Sequence, residues 1–194
     1  KRAYDNDEGP NTGGMGCYAP VPVVTDEVRS MVIATIVKPT LKALVSRGIE
    51  YKGVLYVGLA LTSKGPKVVE FNCRFGDPET QVVLPLMATD LVDACLATAS
   101  GSLDTAGINW YDKKALCVVM ASGGYPGDYE KGKVITGVDE AEKQGALVFH
   151  AGTESRDGQV VSSGGRVLGV TAVGETYRDC IDTAYAGVEK IHFD

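Results

Sequence analysis

The sequence predicts an α+β chain in two parts, and three observations carry that prediction. An apolar rhythm of helical period from Thr25 to Arg47 is followed by two strand-like runs, Tyr51–Thr62 and Lys67–Cys73, around the turn Ser63-Lys64-Gly65-Pro66. Small and polar residues over 101–112, with Gly101 and Gly107 ahead of Trp110, mark a boundary. Beyond it come several short strand-like runs and one closing helical rhythm. The expected domains are therefore 1–104 and 105–194, a division that a chain of 194 residues accommodates.

In chain order, residues 1–16 are polar and glycine-rich and read as loop, and Cys17–Val24, with Pro20 and Pro22, as an extended connector. Thr25 is the expected helix cap, with Asp26 and Glu27 in the first turn and Val28, Met31, Val32, Ile36, Leu41, Leu44 and Val45 on the apolar face. Pro39 predicts a kink or break near Lys38, and Gly48 the end. After the hairpin, Val82–Met87 reads as buried. Thr89 or Asp90 should cap a helix to about Ala99, with Leu91, Val92, Cys95 and Leu96 inward. Ala115–Ser122, Lys133–Thr136, Ala146–Ala151, Gln159–Ser162 and Arg166–Val173 read as strands around a turn-rich loop at Gly123–Tyr129. A final helix begins at Glu175 or Thr176 and runs to about Ile191, with Cys180, Ile181, Ala184, Tyr185 and Val188 inward.

The chemistry concentrates in the second hairpin strand and the turn after it. Val68, Val69, Phe71 and Phe75 make this stretch read as buried, yet Glu70, Asn72, Arg74, Asp77 and Glu79 lie within it. Burying polar groups without partners costs about 1–3 kcal/mol each, so a bound ligand would account for them. Strand alternation sets Glu70 and Asn72 on one face, where a carboxylate and an amide oxygen can share a hard cation. Arg74 follows with a guanidinium fork suited to phosphate or carboxylate, and Gly76-Asp77-Pro78 turns the chain.

Arg74-Phe75-Gly76-Asp77-Pro78-Glu79-Thr80-Gln81 resembles the signature of the glycinamide ribonucleotide synthetase (phosphoribosylamine–glycine ligase) family, which belongs to the ATP-grasp ligases. Glu70-Phe71-Asn72 resembles that family's metal-binding strand. Gly9-Pro10-Asn11-Thr12-Gly13-Gly14-Met15-Gly16, Gly123–Tyr129, His150-Ala151-Gly152-Thr153 and Gly164-Gly165-Arg166-Val167-Leu168 resemble its other stretches, so the likeness covers nearly the whole chain. Lys1 and Arg2 resemble the end of a further motif.

The resemblance implies the C-terminal half of an ATP-grasp domain, an antiparallel sheet with helices, followed by a small β-rich domain. It implies ligation of glycine to 5-phosphoribosylamine with ATP, through an acyl phosphate, as a step of purine biosynthesis. Glu70 and Asn72 would hold Mg²⁺ or Mn²⁺, and Arg74 the transferring phosphate as catalytic residue. Gly13, Gly14 and Gly16 would offer backbone donors, and Asp77 would face the amine or cap its turn, the cap being preferred. The chain reads as a fragment, inactive alone, whose partner is an N-terminal portion of the same protein. Two other readings stay open: a biotin-carboxylase-like ATP-grasp ligase, and a non-catalytic binding or assembly module.

Other features read as structure. Gly164-Gly165-Arg166 is expected as a hairpin turn with a solvated arginine, His150 as a structural histidine, and the Gly123–Tyr129 loop equally as lid or turn. A net charge of −6 argues against nucleic-acid or acidic-membrane partners. The five cysteines form no C-x-x-C pair and read as reduced, mostly buried thiols of a cytoplasmic protein. No run of about 20 apolar residues is present to span a membrane.

Overall fold

The computed structural model describes residues 2–103 and 107–193; Lys1 and the expected division at 104/105 lie outside the described residues. The chain forms two compact units, each assembled from separate stretches. The sheet unit holds Lys1–Pro20, Asp77–Ala88 and Trp110–Asp194; the hairpin unit holds Val21–Gly76 and Thr89–Asn109. The α+β class is as the sequence predicts.

The sheet unit opens with two short paired strands, β1 (Arg2–Tyr4) and β2 (Glu8–Asn11). Its centre is an antiparallel sheet of order β3 (Gly16–Ala19), β6 (Lys114–Ala121), β10 (Arg166–Gly174), β7 (Leu147–His150). Strand β10 is buried over Val167–Ala172, because helices cover both of its faces. Leu168 and Val170 pack with Ala141, Ala146 and Ile191, and Ala172 with Cys180 and Ala184. These contacts bring in α5 (Val138–Lys143) and α6 (Tyr177–Val188). On the other face Ala115, Cys117 and Val173 pack on Val82 and Leu86, from α3 (Thr80–Val83) and the 3₁₀ turn after it. The burial expected over Val82–Met87 is thus met at Val82 and Leu86.

Strand β3 corrects the expected loop and connector. Cys17 and Ala19 turn toward the Val82 cluster, and Tyr18 turns out to meet Tyr177 edge-on at 5.6 Å. Lys133–Thr136 contributes only the isolated bridges Val134–Val161 and Thr136–His192. The turn at Gly164-Gly165 is not a hairpin: β9 (Gln159–Ser162) pairs with β8 (Thr153–Arg156), whereas β10 pairs with β6 and β7. The closing helix has the capping box of Thr176 and Asp179. Its buried face is Cys180, Ala184 and Gly187, while Tyr185 is exposed.

The hairpin unit begins with α1 (Asp26–Val32), capped by Thr25 Oγ1 accepting from Val28 N at 3.3 Å. A π-helical turn, Ile33–Val37, joins it to α2 (Lys38–Ser46). This is the outcome of Pro39: lacking an N–H, it is absorbed by a wider turn in which Lys38 N bonds Ile33 O. Strands β4 (Tyr56–Thr62) and β5 (Gly65–Asn72) pair around a two-residue turn, shorter than expected because Thr62 Oγ1 ties Gly65 O at 2.8 Å. Helix α4 (Leu91–Ser100) starts at Asp90, whose carboxylate takes Val92 N at 2.7 Å and Asp93 N at 3.3 Å, and Gly101 closes it in the left-handed region.

Burial in this unit departs from the expectation. Among its described residues only Gly76 is buried. Met31, Leu41, Val45, Leu91, Val92, Cys95 and Leu96 are exposed, as are Val68, Val69, Phe71 and Phe75. The half-buried face of α4 is Ala94, Ala97 and Thr98. Periodicity finds an apolar face without saying whether anything covers it.

Candidate functional site

Two groupings contain the predicted residues, one in each unit. In the hairpin unit, Glu70 stands opposite Gly58 and Asn72 opposite Tyr56. A β-bulge at Val69 precedes them, so from Glu70 onward the alternation is regular and both side chains lie on one face. Gly58 makes the room: a Cβ there would lie 3.1 Å from Glu70 Cγ and 3.3 Å from Tyr56 Cε1. Glu70 is exposed and Asn72 half-buried, so both oxygens can reach a ligand; this corrects the expectation that the stretch is buried. A carboxylate and an amide oxygen fit a hard divalent cation that keeps other oxygens from water or phosphate. Among the described residues no three His, Cys, Asp or Glu side chains converge, so the pair is joined by no cluster of such groups. Arg74 is exposed just beyond the strand, with Nη1 donating to Phe75 O at 2.8 Å.

In the sheet unit the organising residue is Arg166, at the start of β10. Its Nη1 donates to Gly13 O at 3.1 Å, Gly14 O at 3.2 Å and Asp77 O at 3.2 Å, and Nη2 to Asp77 Oδ2 at 2.9 Å. The arginine side chain is only 21% exposed, which corrects the reading of a solvated arginine. Asp77 is more than a turn residue: Oδ1 also accepts from Gln81 Nε2 at 3.1 Å. Through its two oxygens the carboxylate joins Arg166 to Gln81 of α3. Gly13 N donates to the Tyr125 hydroxyl at 3.2 Å and Gly14 N to Thr12 Oγ1 at 3.1 Å. The guanidinium packs closely on Gly13, where a Cβ would lie 2.9 Å from Arg166 Cζ. Gly16 lies in β3, where a Cβ would stand 2.6 Å from Cys117 O.

The Gly123–Tyr129 loop packs inward here. A Cβ at Gly165 would collide with the Tyr125 ring, which lies 6.3 Å from that of Tyr129. His150 is exposed, and its Nδ1 is 3.1 Å from Thr153 Oγ1 across a turn. Beneath the sheet, burial is the main cause that raises the Cys117 thiol above its ordinary range; Thr171 partly offsets it. Of the five free cysteines only Cys117 and Cys180 are buried, fewer than the sequence suggested. Arg166, Tyr125 and Gln81 are the residues that sequence reasoning passed over or undervalued. The signals available were the Gly164-Gly165-Arg166 run ahead of an apolar strand, the Gly123–Tyr129 loop and the last residue of the Arg74–Gln81 stretch.

Helices on antiparallel strands, with a hairpin bearing Glu70 and Asn72 and a four-stranded sheet, are the elements of an ATP-grasp ligase fold. The phosphoribosylglycinamide synthetase ATP-grasp (A) domain matches residues 1–80, and the C domain of the same synthetase matches residues 115–194. The chain belongs to the phosphoribosylglycinamide synthetase family. Over its whole length it is 51% identical to a phosphoribosylamine–glycine ligase from Caldanaerobacter subterraneus subsp. tengcongensis, covering 46% of that protein. It is 53% identical to one from a Synechocystis species, covering 47%. The crystal structure of phosphoribosylamine–glycine ligase from Thermotoga maritima superposes with a TM-score of 0.84 at 39% identity, over all of this chain and 47% of that one. The chain thus spans about half the length of the curated relatives it matches.

Proposed function

We propose that this chain is the later half of a phosphoribosylamine–glycine ligase. The whole protein would join glycine to 5-phosphoribosylamine with ATP, giving glycinamide ribonucleotide, ADP and phosphate, a step of purine biosynthesis. The observation that carries the proposal is the pair Glu70 and Asn72, side by side on one strand face with Gly58 leaving them space, in a chain of this family. In this reading Glu70 and Asn72 hold Mg²⁺ or Mn²⁺, which when bound neutralises phosphate charge. Arg74 presents its guanidinium to the transferring phosphate, where charge accumulates as the glycine carboxylate becomes an acyl phosphate. Gly13, Gly14, Gly16 and Asp77 form the substrate- and phosphate-facing wall of the sheet unit.

The rest of the protein is the proposed partner. The relatives are about twice as long as this chain, and the hairpin unit leaves Val68, Val69, Phe71 and Phe75 exposed. An N-terminal portion of the same protein would cover such surface and supply the remaining wall of the nucleotide site. The expected division at 104/105 and a cytoplasmic location, in keeping with five free thiols, belong to the same proposal. No described helix is long and apolar enough to cross a membrane.

Separately produced halves test it. With ATP, Mg²⁺, glycine and phosphoribosylamine, this chain alone should release no ADP, and the recombined halves should release it only when both substrates are present. A folded complex without turnover would count against the ligase reading. Turnover by this chain alone would show that the nucleotide site has been misplaced.

A further inference from the structure

The Arg166 guanidinium joins three segments far apart in sequence, and nothing in the reading so far gives it a role. Its bonds to the Gly13 and Gly14 carbonyls have a directional consequence. In a trans peptide the C=O and N–H point opposite ways. Drawing these two carbonyls onto Nη1 therefore turns the Gly14 and Met15 N–H groups away from the guanidinium. Tyr125 holds the other side, its hydroxyl accepting from Gly13 N at 3.2 Å. The same guanidinium fixes Asp77 through both its carbonyl and its carboxylate. A lysine could not do this, because its single ammonium lacks the planar fork.

We propose that Arg166 is a positioning residue of the ligase reaction: it sets the peptide planes of the Gly13–Gly14 loop and the carboxylate of Asp77, and acts on substrate through them. This inference rests on the proposed function, which places that loop and Asp77 beside substrate. Arg166 itself need touch no reacting atom.

The test uses the full-length protein with R166K and R166Q, and D77N alone and combined with R166Q. Steady-state constants are measured for ATP, glycine and phosphoribosylamine, together with amide hydrogen exchange over residues 12–16 and the thermal midpoint. R166Q should lower kcat/KM by about 10- to 100-fold, the scale of a small misplacement in a reacting geometry. The midpoint should stay within a few degrees, exchange over 12–16 should speed up, and the R166Q/D77N double variant should be no worse than the poorer single one. R166K supplies the same reading if R166Q fails to fold, and should recover only part of the loss. Wild-type constants in both arginine variants would overturn the proposal, as would a kinetic loss with unchanged exchange. A full-length wild type that shows no ligase turnover would instead refute the functional reading, and the positioning role with it; exchange would still report on the clamp as structure.

Discussion

Replacing Gly58 with alanine separates stability from metal use more cleanly than removing a ligand does. The new Cβ would lie 3.1 Å from Glu70 Cγ, against the usual 3.5–4.0 Å or so between carbons, and 3.3 Å from Tyr56 Cε1. Glu70 must therefore move by about 0.4–0.9 Å at Cγ. Because it is exposed, it can do so by rotating, at about 0.5–1.5 kcal/mol if it leaves its rotamer well. Removing a strand glycine returns about 0.5–1 kcal/mol, so folding stability should hardly change. The carboxylate is less tolerant, since ligand distances are held to about 0.2 Å. The expected result in the full-length protein is a thermal midpoint within a few degrees of wild type and a rise of about tenfold or more in the Mg²⁺ concentration for half-maximal ADP release, equivalent to about 1.4 kcal/mol. Unchanged metal dependence at unchanged stability would refute the placement of the ion at Glu70. A stability loss above about 2 kcal/mol would refute the claim that Glu70 yields freely.

Three further predictions concern the sheet unit. Leu168→Ala, at a side chain 1% exposed between the sheet and its helices, should cost about 2–5 kcal/mol in urea unfolding, and a loss under about 1 would show a core less tightly filled. Gly137→Ala should also destabilise, by about 1–3 kcal/mol, because Gly137 sits at φ +83° and a Cβ there would collide with the Lys190 carbonyl; equal urea midpoints would contradict this. Burial raises the Cys117 and Cys180 thiols, so the folded state resists their ionisation. Their contribution is complete below the ordinary thiol pKa, about 8.5, and is lost as pH rises from there through the raised folded values. Unfolding midpoints should therefore fall as pH rises above about 8.5, less so in the Cys117→Ala variant, and a flat profile would contradict the assignment.

Local signals were legible and long-range ones were not. Asp90 and Thr176 were readable as caps because a cap needs only its own first turn, and the pair Glu70 and Asn72 because strand alternation is local. Pro39 announced a break, but its form as a π turn depends on how neighbouring carbonyls are re-bonded. Strand β3 was missed because four residues between a glycine loop and prolines carry no strand rhythm, and its partner β6 comes far later in the chain. Arg166 was misread for the same reason: nothing near it in sequence announces Gly13, Gly14 or Asp77. The misjudged burial of Val68, Val69 and Phe71 has a different cause, since an apolar side chain does not say which surface will cover it.

The central claim is that Glu70 belongs to the metal and phosphate site of a glycine-dependent ligase. The most direct measurement is ADP release by the full-length protein and its Glu70→Lys variant, with glycine and phosphoribosylamine each omitted in turn. Wild type should release ADP only with both substrates, and the variant should release none while unfolding at the wild-type temperature, since the exposed side chain has no packing role. Wild-type turnover in Glu70→Lys, or ADP release indifferent to glycine, would contradict the account.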